Sequence, residues 1–424
     1  MLSTKQKQWR IKIFAVTWLA YAAFYFCRKN FSVIMPMISE DFNYSKDDLA
    51  ILIGGYSLSY MFGQFSNGFL ADKFGPRLVV TTGMIVSITA NIMMGLSGTF
   101  GLLLFFMGLN GLGQSSGWPG LIKNMATWFR RDERGIVMSW WTTNYVIGSF
   151  VATIFATYWA TSQTLFPDLG WKPGLWAPSV ILLFATITYG LFTRNRPPDA
   201  GLPVIVKEED TGSASTGFDK KILREVLNHP TIWIASGIYF LLKMTRYAFL
   251  FWLPLYMTEA LSYDNSTAGY MSSVYELTGF LGVIAAGYLS DKIFSSKRFP
   301  ISTIMLAGLA VLCFLQPILS QMGMVATAIS IGLIGLTTYG PDSIISGAAA
   351  MDIGGKKGAA TAAGVINGVG STGQLLSPFV VAFVSNTFGW DGLFYLFVVL
   401  ALSGAILSSL RWNFGGTSKP ERSP

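Results

Sequence analysis

Five basic residues lie inside stretches that are otherwise apolar: Arg28, Lys29, Lys123, Lys243 and Arg246. Two carboxylates, Glu276 and Asp342, share that setting, and Asp352 falls at the inner end of the run that holds Asp342. Arg28 stands eight residues before Pro36, which falls near the far end of the first run. On a helix that places it about 12 Å inside. A cation at that depth costs about 2.5 to 3.5 kcal/mol on insertion scales, and more by other measures. Five cations against two anions leave the interior net positive, which suits an anionic ligand. Arginine offers a planar fork matched to two oxygens, and phosphate monoesters are close to dianionic at pH 7. Phosphate binding by Arg28 and Arg246 is therefore the functional expectation. The alternative is a permanent ion pair of these arginines with Glu276 or Asp342.

The neighbours divide in the same way. Lys29 points about 100° away from Arg28 on a helix, so it lines a cavity edge or pairs with a neighbouring helix. Lys243 precedes Arg246 by three residues and shares its face, as a third positive group or as one neutralised by an acid. Lys123 is five residues before Trp128, near an inner end, where a lysine snorkels to the interface. Glu276 is near mid-span and serves as counter-ion to an unliganded cation or as a permanent partner. Asp342 follows Gly340-Pro341, a place for a bend, and either pairs with Lys243 or titrates. Tyr21, Tyr25 and Arg28 share one helical face at i, i+4, i+7. Their phenols suit phosphate or sugar oxygens, or simply pack. His229, beside Pro230, reads as a solvated loop histidine.

The elements that hold these residues follow from composition. Of 424 residues, 52% are hydrophobic and only 12% charged, half the usual share for soluble domains. With 45 Gly and 32 Phe, this describes an all-α polytopic membrane protein. Isolated Cys27 and Cys313 form no disulfide framework or metal site. No cofactor, catalytic constellation or nucleotide loop is expected, so the chain is not read as an enzyme. The formal charge of +8 is spread through short loops, which argues against nucleic acid. Apolar runs long enough to cross a bilayer fall near 11–37, 49–71, 77–97, 100–128, 135–160, 174–194, 230–257, 265–290, 300–318, 323–351, 358–386 and 390–411. The first follows Lys5, Lys7, Arg10 and Lys12 but is too long for a signal peptide. Most cations fall in alternate loops, and only Lys46 and Lys172 fall in the others. The positive-inside rule thus puts both termini in the cytoplasm.

The chain repeats. Arg28 and Arg246 are 218 positions apart, as are Pro36 and Pro254; Tyr56 and Tyr275 are 219 apart, as are Asp72 and Asp291. Gly68-Phe-Leu-Ala-Asp-Lys73 matches Gly287-Tyr-Leu-Ser-Asp-Lys292. This predicts a six-helix half over 1–194, a polar cytoplasmic linker over 195–229, a second half over 230–412 and a tail over 413–424. A duplicated architecture of this kind places a ligand site between its repeats. The cytoplasmic loop with Gly68, Asp72, Lys73 and Arg77, and its counterpart with Asp291 and Lys292, reads as a gate or latch.

Gly68-Phe-Leu-Ala-Asp-Lys-Phe-Gly-Pro-Arg77 resembles the loop signature of the major facilitator superfamily. Together, Arg28-Lys29-Asn-Phe with Met35-Pro36, Gly117-Trp-Pro119, Trp128-Phe129, Arg246-Tyr247 with Trp252, Glu276 and Tyr339-Gly-Pro341 resemble its organophosphate:phosphate antiporter family, nearest the glucose-6-phosphate group. The likeness runs from about residue 9 to 412. It implies twelve transmembrane helices in two rocking halves, phosphate held by Arg28 and Arg246, and helpers at Tyr21 and Tyr25. Three positions depart from the glycerol-phosphate members, which have Lys, His and Tyr where this chain has Gln64, Tyr145 and Lys243. The resemblance therefore implies exchange of an organophosphate, such as a hexose phosphate, for inorganic phosphate. The substrate-cavity set it implies is Tyr21, Tyr25, Lys29, Gln64, Tyr145, Lys243, Glu276 and Asp342. The alternatives are a hexose-phosphate sensor that does not transport, and a proton-coupled symporter of another anion using Glu276 or Asp342. A multi-pass protein of the cell (inner) membrane, monomeric by default, is expected.

Overall fold

The computed structural model describes residues 3–130, 133–164, 166–205 and 220–415. Among them the regular structure is helical, apart from one isolated bridge between Lys297 and Gly415. The helices are α1 Thr4–Phe24, α2 Phe26–Phe42, α3 Lys46–Phe74, α4 Pro76–Leu96, α5 Phe100–Ser115, α6 Gly117–Trp128, α7 Arg134–Trp141, α8 Thr143–Thr161 and α9 Pro173–Phe192. They continue with α10 Lys220–Leu227, α11 Pro230–Glu259, α12 Asn265–Lys292, α13 Phe299–Gln321, α14 Met324–Ser343 and α15 Ala350–Ser409. Six stretches among the described residues are long and apolar enough to cross a membrane by length and composition: Thr4–Phe42, Pro76–Leu96, Pro173–Phe192, Phe299–Gln321, Met324–Gly354 and Thr361–Ser409.

Local chemistry sets the helix starts. Ser3 accepts from the Gln6 amide while the Gln6 side chain accepts from the Ser3 amide, and Ser45 and Asp48 repeat this reciprocal cap on α3. Each pair satisfies donors that an uncapped first turn leaves bare. α4 and α9 open on Pro76 and Pro173, whose missing N–H costs nothing there.

Three expected spans are broken. The first divides at Tyr25, with Cys27 at φ −96° and ψ 16°. The fourth divides at Ser116 and the fifth at Thr142. Beyond Asp342 the reverse holds: a π-helical stretch, Ile344–Ala349, joins α14 to α15 without a loop. Sixty residues at 1.5 Å each would make α15 about 90 Å long, three bilayer cores. It turns at Gly389, where φ is +74°, a value that glycine adopts at little cost. That turn lies between the two last expected spans.

The described helices pack as two compact units, Met1–Gly217 with Phe251–Ser273, and Phe218–Leu250 with Val274–Pro424. In the first, α3 and α4 pack along α5, and α4, α8 and α1 pack along α9. Its core holds Phe24, Met84, Leu121, Trp128, Trp141 and Tyr189. The strip 251–273 is bound into this unit: Ser32 Oγ donates to the Phe251 carbonyl at 2.8 Å, and Lys46 pairs with Glu259 at 3.0 Å. In the second, α13 packs along α14 and α15, with Ala286, Ile301, Met305 and Ile344 as a core cluster.

Candidate functional site

In the first unit, the break between α1 and α2 turns the Arg28 amide to the Tyr25 carbonyl in place of that of Phe24, and the Phe31 amide donates to Asn30 Oδ1 at 2.9 Å. Buried side-chain amides meet the carbonyls of Phe24 and Cys27. Gln114 Nε2 donates to Phe24 O at 2.9 Å, and Asn110 Nδ2 to Cys27 O at 2.9 Å. Asn91 Nδ2 also reaches Cys27 O, at 3.4 Å. These amides are tied together: Ser87 Oγ donates to Asn110 Oδ1 at 2.6 Å, Gln114 Nε2 to Ser87 Oγ at 2.9 Å, and Asn30 Nδ2 to Asn91 Oδ1 at 2.8 Å. A buried carbonyl left unpaired costs about 1 to 3 kcal/mol, so α4 and α5 stabilise a break that no proline or glycine of α1 or α2 creates.

Arg28 sits on this break, 5% exposed. Its Nε donates to Gln114 Oε1 at 3.2 Å, while Nη2 has no hydrogen-bond partner. Tyr25 and Tyr60 place their rings 4.7 and 5.1 Å from the guanidinium carbon. Tyr60 in turn accepts from Gln64 Nε2 at 2.8 Å. Gln64 thus comes into the Arg28 surroundings through one phenol. Tyr21 touches Tyr25 at 5.9 Å, and also Trp118 and Trp141 at 5.4 and 5.6 Å. Tyr21, Tyr25 and Arg28 stay together, although the helix expected to align them is broken among them. Tyr145 is half-buried against the same core, and Lys29 is buried on α2.

In the second unit, Arg246 Nη1 donates to both oxygens of Asp342, at 3.1 and 3.0 Å. Both side chains are buried. The Tyr339 ring lies 4.6 Å from the Arg246 guanidinium carbon, and the Tyr247 ring 5.7 Å. Of the readings open for Asp342, the structure therefore shows a pair with Arg246 and not with Lys243. Lys243 instead donates to Ser371 Oγ at 3.5 Å, above the Tyr239 ring at 5.0 Å. Glu276 is fully buried on α12, beside Tyr275, which packs on Phe249 and Tyr339.

The loop motifs form ion pairs of their own. Lys123 donates to the Ala71 carbonyl at 3.1 Å and pairs with the Asp72 carboxylate, so its snorkelling end meets the last turns of α3, where Asp72 lies rather than in a loop. Gly75, at φ +86°, turns the chain, and the Arg77 amide donates to Asn195 Oδ1 at 2.8 Å. Arg77 Nε reaches the Gly190 carbonyl at 2.7 Å. Among the described residues Gly68 and Lys73 add no such bond; Lys73 lies over Phe74. In the second unit Arg298 takes both Asp291, at 2.6 Å, and Asp352, at 3.2 Å, while Lys292 is exposed. His229 is half-buried at the start of α11, its Nδ1 accepting from the Thr231 amide at 3.3 Å and its ring 5.7 Å from that of Phe414.

Sequence reasoning missed Gln114, Tyr60, Ser87, Asn91 and Asn110. The available signal was an uncharged amide inside an apolar run, which is costly to bury without a partner. Among the described residues, no group of three or more His, Cys, Asp or Glu could hold a metal ion.

The sequence matches the family model of the Major Facilitator Superfamily over residues 17–378 and again over 238–423. It is 28% identical over 422 residues to a glycerol-3-phosphate transporter of Bacillus subtilis, covering 96% of this chain and 94% of that one. It is 29% identical over 439 residues to a probable hexose phosphate transport protein of Chlamydia trachomatis, covering 97% and 93%. A crystal structure of a bacterial homologue of the human lysosomal transporter Spinster, inward-facing and unoccupied, superposes with a TM-score of 0.75 at 15% identity, covering 95% of this chain and 94% of that one. The chain belongs to the Major Facilitator Superfamily, as an all-α membrane protein of twelve transmembrane helices in two six-helix halves, and its relatives match the organophosphate:phosphate antiporter group.

Proposed function

We propose that this member of the superfamily is a secondary antiporter that exchanges an organophosphate, such as a hexose phosphate, for inorganic phosphate. One observation carries the reading. Arg28 is buried, flanked by two phenols and a neutral amide, with Nη2 left over for an acceptor. A buried guanidinium with spare donors suits a dianionic ligand, which it can bind by two parallel bonds. Arg246 is its counterpart in the sequence repeat, and it pairs with Asp342. A ligand phosphate would compete with Asp342 for Arg246.

On this reading Tyr21, Tyr25, Lys29, Gln64, Tyr145, Lys243 and Glu276 belong to the substrate surroundings. Asp72, Lys73, Arg77, Asp291, Lys292 and Gly68 belong to the cytoplasmic latches. Both termini face the cytoplasm. The halves are 1–194 and 230–412, joined by a linker over 195–229 and followed by a tail over 413–424; residues 206–219 and 416–424 lie outside the described residues. Each ligand offsets the positive charge that it meets, which favours movement of the loaded form over the empty one and so enforces exchange.

The test is a panel of labelled organophosphates offered to proteoliposomes loaded with inorganic phosphate. Uptake that requires internal phosphate and survives an uncoupler is expected. Uptake that ignores internal phosphate and fails with an uncoupler would favour a proton symporter. Binding without flux would favour a sensor.

A further inference from the structure

We infer that Gln114 is a positioning residue for the anion site, holding Arg28 so that its Nη edge faces the ligand; this rests on the reading of Arg28 given above. The argument starts from which end of the amide points where. Gln114 Nε2 donates to the Phe24 carbonyl and to Ser87 Oγ, both at 2.9 Å. A main-chain carbonyl only accepts. Turning the amide over would set Oε1 against Phe24 O and lose that bond. The break between α1 and α2 therefore fixes Oε1 toward Arg28.

Oε1 then takes the Nε–H of Arg28 at 3.2 Å. Nε is the donor nearest the aliphatic stem, so this bond sets the rotation of the guanidinium plane. The rings of Tyr25 and Tyr60 lie close to the same group. With Nε taken, the Nη1/Nη2 edge is the one available for two parallel bonds to an oxyanion, and Nη2 is the buried donor that has no partner. A neutral amide does this without cancelling the charge. A carboxylate at the same place would hold Arg28 equally well but would neutralise it, as Asp342 does for Arg246. Gln114 itself is fully buried, and its own bonds run to the helix break and to Ser87, which ties it to Asn110. The polar network of α4 and α5 thus sets the aim of the arginine as well as filling the break.

The experiment uses the full chain reconstituted in phosphate-loaded proteoliposomes, with labelled phosphate outside. Gln114→Leu and Gln114→Met remove the acceptor at nearly constant volume. Both are expected to raise the KM for phosphate about tenfold while the maximal exchange rate stays within about threefold, because a misaimed arginine weakens ligand contact first. Gln114→Glu is expected to lose exchange more than thirtyfold while still purifying as a folded protein. An unchanged phosphate KM in both Gln114→Leu and Gln114→Met, or a loss confined to the maximal rate, would overturn the inference. If Gln114→Leu fails to fold, Gln114→Met and the Glu variant decide it by the same readouts. Arg28→Ala separates the two readings. If it abolishes exchange while Gln114→Leu keeps the parent KM, only the role of Gln114 fails. If Arg28→Ala exchanges normally, the functional reading fails and this inference falls with it.

Discussion

Arg246 Nη1 lies 3.1 and 3.0 Å from the two carboxylate oxygens of Asp342, with both side chains buried. Removing one partner of a buried pair leaves an uncompensated charge and costs about 3 to 5 kcal/mol. Asp342→Asn should therefore lower the melting temperature of the purified protein in phosphate-free buffer. Phosphate should then restore more stability to the variant than it adds to the parent, because it replaces the missing charge. An equal phosphate shift in both proteins would show that the ligand does not meet Arg246.

Gln64 is linked to Arg28 through Tyr60, whose hydroxyl accepts its amide at 2.8 Å. It should tune the organic half of the ligand and leave the phosphate alone. Gln64→Ala is expected to change the KM for inorganic phosphate by less than about twofold. The ratio of KM values between two organophosphates should shift by about fivefold or more, in the range that one lost polar contact produces. Competition assays against labelled phosphate measure both. A uniform change across all ligands would contradict this division of labour.

The Lys123–Asp72 pair has side chains 20% and 61% exposed. A pair that open to solvent contributes at most about 1 kcal/mol to stability. Asp72→Asn should melt within a few degrees of the parent. If the loop is a latch, its exchange rate should nevertheless fall severalfold at unchanged phosphate KM, and the reversed pair Asp72→Lys with Lys123→Asp should recover part of that loss. A fall in melting temperature that matches the fall in rate would make the pair merely structural.

The charged residues of the candidate site stand out in the sequence because charge inside an apolar run is conspicuous and the repeat links Arg28 to Arg246. The superfamily and its twelve helices were legible for the same reason, joined to the Gly68–Arg77 loop. The broken helices were not. Nothing at Tyr25 disfavours a helix, and the break depends on Gln114, Asn110 and Asn91, which come from later parts of the chain. Pairing was equally hidden. Asp342 had Lys243 and Arg246 within reach as candidates, and the choice is made by side-chain packing around Tyr339 and Ser371. Sequence spacing carries no record of either. The continuous run through Ile344–Ala349 into α15 was missed because Gly and Lys at 354–358 look like a loop, yet the backbone there remains helical.

The central claim is that Arg28 and Arg246 bind the phosphate that the protein exchanges. Its most direct measurement is labelled phosphate exchange in phosphate-loaded proteoliposomes containing the parent, Arg28→Ala or Arg246→Ala, at matched amounts of folded protein. Each substitution removes a charge-assisted contact to the ligand, worth about 1.5 to 3 kcal/mol per bond, so exchange should fall at least a hundredfold in both. Undiminished phosphate exchange in either variant would contradict the account.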